Sequence, residues 1–186
     1  ISTCAILDNG SISCWGNNEH GQLGDGNCGS GMDCRENNPV QTASLGGGRT
    51  AVNLSSGKFF RCGVLDDGNV SCWGLGTYGQ MGDGGYGPHS TPTQTSSLGE
   101  GATAIDIASG EYHSCAILND GNVSCWGSNG QGQLGTGDFQ DKASPTQTQS
   151  LGGSPAIAIT AGDKHTCVIL DNGSISCWGL NDQGQI

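Results

Sequence analysis

Basic residues are scarce in this sequence, and the scarcity limits what the chain can bind. Lysine and arginine together number 6 against 17 aspartates and glutamates, which gives a formal net charge of −11 at pH 7. Clustered lysine and arginine supply much of the affinity of proteins for nucleic acids and for anionic membrane surfaces. We therefore expect no nucleic-acid partner and no attraction to an anionic membrane.

Long apolar runs, prolines and charged residues are also few. No apolar stretch approaches the roughly 18 residues that indicate a membrane-spanning helix, so we predict no membrane span. With 5 prolines and no three-residue glycine period the chain is not collagen, and a charged fraction of 12% is unlike that of a charged disordered tail. The 35 glycines argue against a helical bundle, because each glycine in a helix interior costs about 1 kcal/mol.

What the sequence has instead is an internal repeat. The pattern Cys-x-x-Leu-x-x-Gly-x-x-Ser-Cys-Trp-Gly occurs four times, at 4–16, 62–74, 115–127 and 167–179. Each copy leads to a Gly-Gln-apolar step, and three copies are followed by a Pro-x-Gln-Thr segment, at 39–42, 92–95 and 145–148. We assign one repeat domain, 1–186, with units of approximately 1–57, 58–110, 111–162 and 163–186, the last incomplete.

A period near 50 residues with several short strands per unit predicts an all-β fold built from β-propeller blades, each a four-stranded antiparallel sheet. In every hairpin a glycine, such as Gly121, takes the left-handed position of a three-residue loop, where a side chain would be strained. The Pro-x-Gln-Thr segments suit an outer edge strand, because proline cannot donate a hydrogen bond to a central ladder.

The turn also fixes which cysteines face each other. With Asp8-Asn9-Gly10 as the loop, Cys4 faces Cys14 in a non-hydrogen-bonded pair, whose Cα atoms lie about 4.5 Å apart and within disulfide reach. The same register pairs Cys62 with Cys72, Cys115 with Cys125 and Cys167 with Cys177, and we predict that the remaining Cys28 and Cys34 pair with each other. Zinc is the competing interpretation, but sulfurs that recur once per blade do not converge as zinc requires. Disulfides indicate an oxidising compartment, hence an extracellular or cell-surface location.

The repeat resembles the regulator of chromosome condensation repeat, most completely at 110–135. The resemblance implies a propeller that usually closes with seven blades and that binds other proteins through a face. The cysteines and the acidic charge are more similar to secreted members of the family than to the nuclear one. About 3.5 repeats are present, which we interpret as part of a larger propeller or of an open array, and open head-to-tail association would give filaments.

Two sets of recurring residues have a structural as well as a functional interpretation. One tryptophan per unit at a constant phase predicts packing between adjacent blades rather than an aromatic ligand platform: Trp15, Trp73, Trp126 and Trp178. His113 and His165 stand just before the first cysteine of a hairpin, with Ser2 and Arg61 in their place in the other copies. Recurrence with the fold favours a structural hydrogen bond over catalysis, which would need a partnered nucleophile or acid.

Five Asn-x-Ser sequons are candidate glycosylation sites: Asn9, Asn53, Asn69, Asn122 and Asn172. Four of them lie at or next to a hairpin turn, where asparagine is also favoured for its turn geometry. N-linked glycans on a secreted chain and a plain turn role therefore stay alternatives.

Acidic glycine-rich steps at 24–26 and 82–84 are predicted as turns. A weak calcium site in the loop from Asp25 to Asp33 stays an open alternative, because calcium wants several oxygen ligands from one loop. We otherwise expect no cofactor, no metal ligands and no catalytic residues.

These observations favour a non-enzymatic extracellular β-propeller scaffold or protein-interaction module, whose partner is another protein or further copies of itself. The alternatives are a structural subunit of a secreted or cell-surface filament, glycosylated or not, and an inhibitor of a secreted enzyme. Guanine-nucleotide exchange, suggested by the resemblance alone, sits badly with the acidic charge and the paired cysteines.

Overall fold

The computed structural model describes residues 2–27 and 34–186, which form fourteen β-strands in four antiparallel sheets. In this part of the chain no helix is present that could cross a membrane. The all-β architecture of antiparallel sheets, two with four strands and two with three among the described residues, confirms the predicted fold class.

We call the four sheets blades 1 to 4, in chain order. Blade 1 contains β1 (Ser2–Ile6), β2 (Ile12–Gly16) and β3 (Glu36–Gln41). Blade 2 contains β4 (Ala51–Ser56), β5 (Phe60–Leu65), β6 (Val70–Gly74) and β7 (His89–Gln94). Blade 3 contains β8 (Ala104–Ser109), β9 (His113–Leu118), β10 (Val123–Gly127) and β11 (Lys142–Gln147), and blade 4 contains β12 (Ala156–Ala161), β13 (His165–Leu170) and β14 (Ile175–Gly179).

The strands of each blade follow one another from the inside of the fold outward. The inner strands β4, β8 and β12 contact one another in series. The proline-containing strands β3, β7 and β11 are paired on one side alone, as outer edges of their sheets. Proline is tolerated there because an edge strand has backbone donors that pair with no neighbour.

The boundaries of the sheets do not coincide with the boundaries of the sequence units. Strand β4 belongs by sequence to the unit 1–57, yet it pairs with β5 in the next sheet. Strands β8 and β12 likewise pair with the hairpin that follows them. Each unit therefore supplies the inner strand of the next blade, which links neighbouring blades covalently.

The hairpins have the register that the turn glycine dictates. Ile6 faces Ile12, Ala5 faces Ser13 and Cys4 faces Cys14, and the other three hairpins repeat this arrangement. Disulfides join Cys4 to Cys14, Cys62 to Cys72, Cys115 to Cys125 and Cys167 to Cys177, with Cα–Cα distances of 4.0–4.1 Å. Cys34 is also disulfide-bonded, and its predicted partner Cys28 lies outside the described residues.

The hydrophobic core lies between blades. Between blades 2 and 3, for example, Val64 and Val70 of one sheet, with Met81 of its loop, pack against Ile107 and Trp126 of the next sheet. Blade 1 packs on blade 2 and blade 3 on blade 4 through equivalent clusters. A single blade would leave these faces in water, so neighbouring blades stabilise each other.

Each inner strand contains one irregularity at the same place. The pairing of β4 with β5 shifts between Ala51 and Asn53, and β8 and β12 shift in the same way one residue after their first. The extra residues of these β-bulges are Val52, Ile105 and Ile157. A bulge bends the strand and re-aims the side chain that it carries.

Candidate functional site

Tryptophan side chains connect neighbouring blades by hydrogen bonds to the backbone. The indole Nε1–H of each of three tryptophans donates to a glutamine carbonyl of the preceding blade: Trp73 to Gln22 (3.1 Å), Trp126 to Gln80 (3.1 Å) and Trp178 to Gln133 (2.9 Å). Trp73 and Trp126 are fully buried. These donors are committed to blade packing and do not form a ligand platform.

Glycine makes this close approach geometrically available. A Cβ atom added to Gly82 would lie 2.8 Å from the indole Nε1 of Trp126, and Gly82 has a φ of +70°. Gly24 and Gly135 stand in the same relation to the indoles of Trp73 and Trp178. A side chain here would collide with the ring and would also strain the backbone.

Trp15 differs from the other three tryptophans. Its side chain is partly exposed, and no hydrogen bond of its Nε1 to the described residues is found. It lies on β2 of blade 1, the first blade that the structure describes.

His113 makes the structural hydrogen bond expected of a histidine that recurs with the fold. The Thr166 hydroxyl donates to the Gln133 carbonyl at 2.9 Å, so it accepts from Nε2–H of His113 at 2.9 Å. His113 is fully buried and its Nδ1 has no partner. Burial, with a smaller contribution from His165, lowers the pKa of His113 to about 4, so the imidazole is neutral at pH 7.

The placement of Arg61 at the histidine position was wrong by one residue. The register pairs Phe60 with Gly74 as it pairs His113 with Gly127, so Phe60 is the counterpart of His113. Arg61 lies opposite Trp73, so it is the counterpart of Ser114, which lies opposite Trp126. Because successive residues of a strand point to opposite faces, Arg61 points away from the face that Phe60 occupies.

Arg61 is a buried cation at the junction of blades 1 and 2. Its guanidinium donates to the carbonyls of Gly57, Phe60 and Ser2, and to the Ser2 hydroxyl. Burial lowers its pKa to about 10, so it stays protonated at pH 7. The hydrogen bonds to Ser2 tie blade 1 to blade 2.

Aromatic side chains cluster at one end of the blades, which we call the loop face. It is formed by the loops 17–27, 57–59, 75–88, 110–112, 128–141 and 162–164. The rings of His20 and Phe59 are 5.0 Å apart, and those of Tyr78 and Tyr112 are 4.9 Å apart. Each pair joins a loop of one blade to the next blade.

Lys58 lies between these two aromatic pairs. Its ammonium is 5.6 Å from the ring centroids of both Phe59 and Tyr112 and forms an ion pair with Glu111. The hydrogen bond to Glu111 raises the pKa of this exposed lysine. The sequence did not reveal this cluster, because its members stand at positions that vary between repeats and only the three-dimensional fold brings them together.

The carboxylates of the acidic loops bind side chains of the same loop or of the strand that follows it. Asp25 accepts from the Asn18 side chain, Asp83 pairs with His89 at 2.7 Å, and Lys142 donates to Asp138 at 2.7 Å. Asp33, the other end of the suggested calcium loop, lies outside the described residues. Within 2–27 and 34–186, no group of three or more histidine, cysteine or acidic side chains is arranged to hold a metal ion.

The opposite end of the blades, which we call the turn face, is formed by the hairpin turns 8–10, 66–68, 119–121 and 171–173 and the loops 43–50, 96–103 and 149–155. In each turn a side-chain oxygen accepts the backbone N–H two residues ahead. The four pairs are Asn9 with Ser11, Asp67 with Asn69, Asp120 with Asn122 and Asn172 with Ser174. This interaction accounts for an asparagine or aspartate in every turn.

The sequons fall into two groups. Asn9 and Asn172 are exposed at the tips of their turns. Asn53 instead lies on inner strand β4 and donates across the blades to Asp106 at 2.6 Å. The amides of Asn69 and Asn122 donate to the aspartates of their own turns, and their sequon serines, Ser71 and Ser124, are buried.

Comparison with protein families matches the chain over most of its length. Two models described as "Regulator of chromosome condensation (RCC1) repeat" match it, one at residues 67–117 and 120–169 and the other at 2–22, 51–80, 104–133 and 156–185. The chain is 31% identical over 184 residues to the Ultraviolet-B receptor UVR8 of Arabidopsis thaliana, and 30% identical over 192 residues to the RCC1 domain-containing protein RUG3, mitochondrial, of the same plant.

These matches cover 98% and 95% of the chain but 40% of each relative, so the chain spans about two fifths of their length. Among solved structures, human WBSCR16 superposes with a TM-score of 0.85 at 23% identity, covering 96% of this chain and 44% of that one. The ectodomain of the receptor kinase CR4 from Physcomitrella patens superposes with a TM-score of 0.60 at 23% identity, covering 96% and 38%. These likenesses agree with a propeller fold.

Replacing the indole of Trp126 should destabilise the protein more than the same change at Trp15. Trp126→Phe removes a buried donor and leaves the Gln80 carbonyl without this hydrogen bond, which we expect to lower the free energy of unfolding by about 2–3 kcal/mol. The matched control Trp15→Phe should cost less than about 1 kcal/mol, because that side chain is partly exposed. Urea denaturation followed by circular dichroism measures both, and equal losses would contradict the assigned role.

His113 should make stability depend on pH. The unfolded chain binds a proton on this residue near pH 6.5, whereas the folded chain does so only near its pKa of about 4. The free energy of unfolding should therefore fall as the pH is lowered from about 6.5 to about 4, by roughly 3 kcal/mol in total.

The matched variant is His113→Phe, which installs the residue that blade 2 has at Phe60. Urea denaturation at several pH values measures the difference in unfolding free energy between wild type and variant. This difference should change by roughly 3 kcal/mol between about pH 6.5 and about pH 4. Parallel pH profiles of the two proteins would show that His113 is not held neutral.

Proposed function

Because the chain belongs to the regulator of chromosome condensation repeat family, we propose that it is a non-enzymatic, extracellular β-propeller scaffold that binds another protein through its loops. The observation that carries the proposal is the separation of roles between positions. The recurring tryptophans and the Gly-Gln steps are committed to blade packing, as with the Trp126 indole bound to the Gln80 carbonyl. The residues that vary between repeats, such as Lys58 and Tyr112, lie in surface loops, which is where a rigid scaffold carries recognition.

The disulfides support the extracellular part of the proposal. Four bridges close hairpins of the described chain, and bridges of this kind persist in oxidising compartments. The name of the relative RUG3 places that protein in mitochondria, whereas the CR4 structure is an ectodomain, so the fold occurs in both settings. The bridges favour the second setting for this chain.

The proposed partner binding can be tested by photo-crosslinking in the source cells. A photoreactive phenylalanine analogue placed at Tyr112 on the loop face or at Ile105 on the turn face should give a discrete crosslinked partner that mass spectrometry identifies. Thr91, exposed on outer strand β7, is the control position and should give none. The absence of an adduct from both faces would contradict a binding function.

We also propose N-linked glycans at Asn9 and Asn172, for the case that the chain passes through a glycosylating compartment. Both asparagines are exposed on the turn face, whereas Asn122 is followed by the buried Ser124. The intact mass of the secreted chain should fall on glycosidase treatment, and Asn9→Gln and Asn172→Gln should each remove one glycan. The control Asn122→Gln should leave the mass of the glycans unchanged; an unmodified secreted chain, or loss of a glycan from the control, would contradict the assignment.

A structural subunit of a filament is a second candidate, because neighbouring blades stack face to face. Ile175 of blade 4 is 68% exposed, and its counterpart in blade 3, Val123, is 1% exposed because blade 4 covers it. The face that carries Ile175 therefore fits a further blade, of this chain or of another molecule, and a filament requires that this blade come from a second molecule. Sedimentation velocity separates the candidates, since a filament gives large species and a scaffold gives one small particle.

A further inference from the structure

An apolar patch lies at the inner end of the turn face. It consists of the three bulge residues, Val52, Ile105 and Ile157, which are 60%, 56% and 60% exposed. They occupy the same register on inner strands that contact one another in series. We call these residues the bulge patch.

The position of the bulge patch follows from the backbone hydrogen bonds at this end. Ala51 N–H donates to the carbonyl of Gly10 in the turn of the preceding blade at 2.8 Å, and Ala104 and Ala156 do the same to Gly68 and Gly121. Each bulge residue directly follows one of these alanines. The patch is therefore held beside the hairpin turns.

Hydrogen bonds hold the backbone beside the bulges. The residue that follows the bulge in β4, Asn53, accepts the backbone N–H of Leu54 with its side-chain oxygen at 2.7 Å. In β8, Asp106 accepts the backbone N–H of Ile107 in the same way at 2.8 Å. The side chains of Asn53 and Asp106 also bond to each other across the blades. The aliphatic side chains are thus fixed where they face solvent.

Single exposed apolar residues are normal on protein surfaces, but a group in register is not scattered exposure. Every inner strand places a β-branched aliphatic residue at its bulge, where water surrounds more than half of it. Covering such side chains would remove apolar surface from water, which is favourable. The fold thus offers a fixed apolar contact surface near its centre.

The surroundings of the bulge patch indicate the chemistry of its partner. The turns and loops of the turn face carry six carboxylates: Asp8, Asp66, Asp67, Glu100, Asp120 and Asp171. Arg49 is the basic residue in these segments, and it is bound to Asp67 and to the Leu45 carbonyl. The hydrogen bonds from Asn122 hold the pKa of Asp120 below its usual range, so this carboxylate stays ionised.

We propose that the turn face binds a basic polypeptide segment, with aliphatic side chains seated on the bulge patch and lysines or arginines over the surrounding carboxylates. Charge complementarity selects this occupant, because an anionic segment or an anionic membrane would be repelled by the same carboxylates. The inference deepens the proposed function and rests on it, since it names the face and the partner chemistry of the same scaffold.

A fluorescein-labelled peptide with an Ile-Leu-Ile centre between paired lysines tests the proposal by fluorescence anisotropy with the full chain. It should bind, and raising the NaCl concentration from about 50 mM to about 300 mM should weaken it by at least about threefold, because exposed charge pairs are screened. A peptide with serines at the centre, and one with glutamates in place of the lysines, should each bind at least about tenfold more weakly.

The variant Ile105→Ser with Ile157→Ser should lose about tenfold in affinity for the first peptide. The control is Ile175→Ser, which removes an even more exposed isoleucine from strand β14 of blade 4, outside the bulge patch, and should leave affinity unchanged. Circular dichroism checks that the variants fold.

If the serine-centred peptide bound equally well, binding would be a general attraction of a polycation and the proposal would be overturned. Undiminished binding by the double variant, or no binding of the first peptide to the wild type, would also overturn it. These results leave the proposed function standing if the photo-crosslinker at Tyr112 still captures a partner. If neither face gives a crosslink, the result contradicts the proposed function as well as the turn-face proposal.

Discussion

The hydrogen bond from an indole Nε1 to a glutamine carbonyl of the preceding blade is the interaction on which the rest of the structure depends. It needs a tryptophan at the end of the second hairpin strand, a carbonyl presented by the Gly-Gln turn and a glycine that leaves room for the ring. All three are spaced at a fixed distance along each repeat, so the sequence period is the period of this contact. Leaving such a buried donor unpaired would cost about 1–3 kcal/mol, which favours the observed packing of blades 2 and 3, whose tryptophans are fully buried, on the blade before each.

Two covalent features make this contact reproducible along the chain. The inner strand of each blade comes from the preceding sequence unit, so a blade cannot separate from its neighbour without losing a strand of its own sheet. The disulfide within each hairpin closes a loop of about 11 residues, which the chain-entropy model values at roughly 3 kcal/mol. A glycine-rich chain, whose unfolded state has high entropy, gains more from such constraints than an average one does.

The sequence predicted what local geometry determines. The turn glycine fixes the hairpin register, and the register alone pairs Cys115 with Cys125. It could not show which side chains meet across blades, because that depends on how neighbouring sheets are oriented. The assignment of Arg61 to the position of His113 failed for a related reason. A shift of one residue along a strand moves a side chain to the other face, and a pattern anchored on the cysteines alone does not register that shift.

The bulge residues show how a repeat can hide a surface. Ile105 lies in an apolar alternation that is typical of a strand with one buried face, and the alternation suggests that its apolar residues share that face. The extra residue of the bulge breaks the alternation, so Ile107 enters the core while Ile105 faces water. The same break in β4 and β12 shows that the exposure belongs to the repeat itself. A position that recurs in every blade and yet contributes little to the core is where a repeat fold can combine stability with recognition.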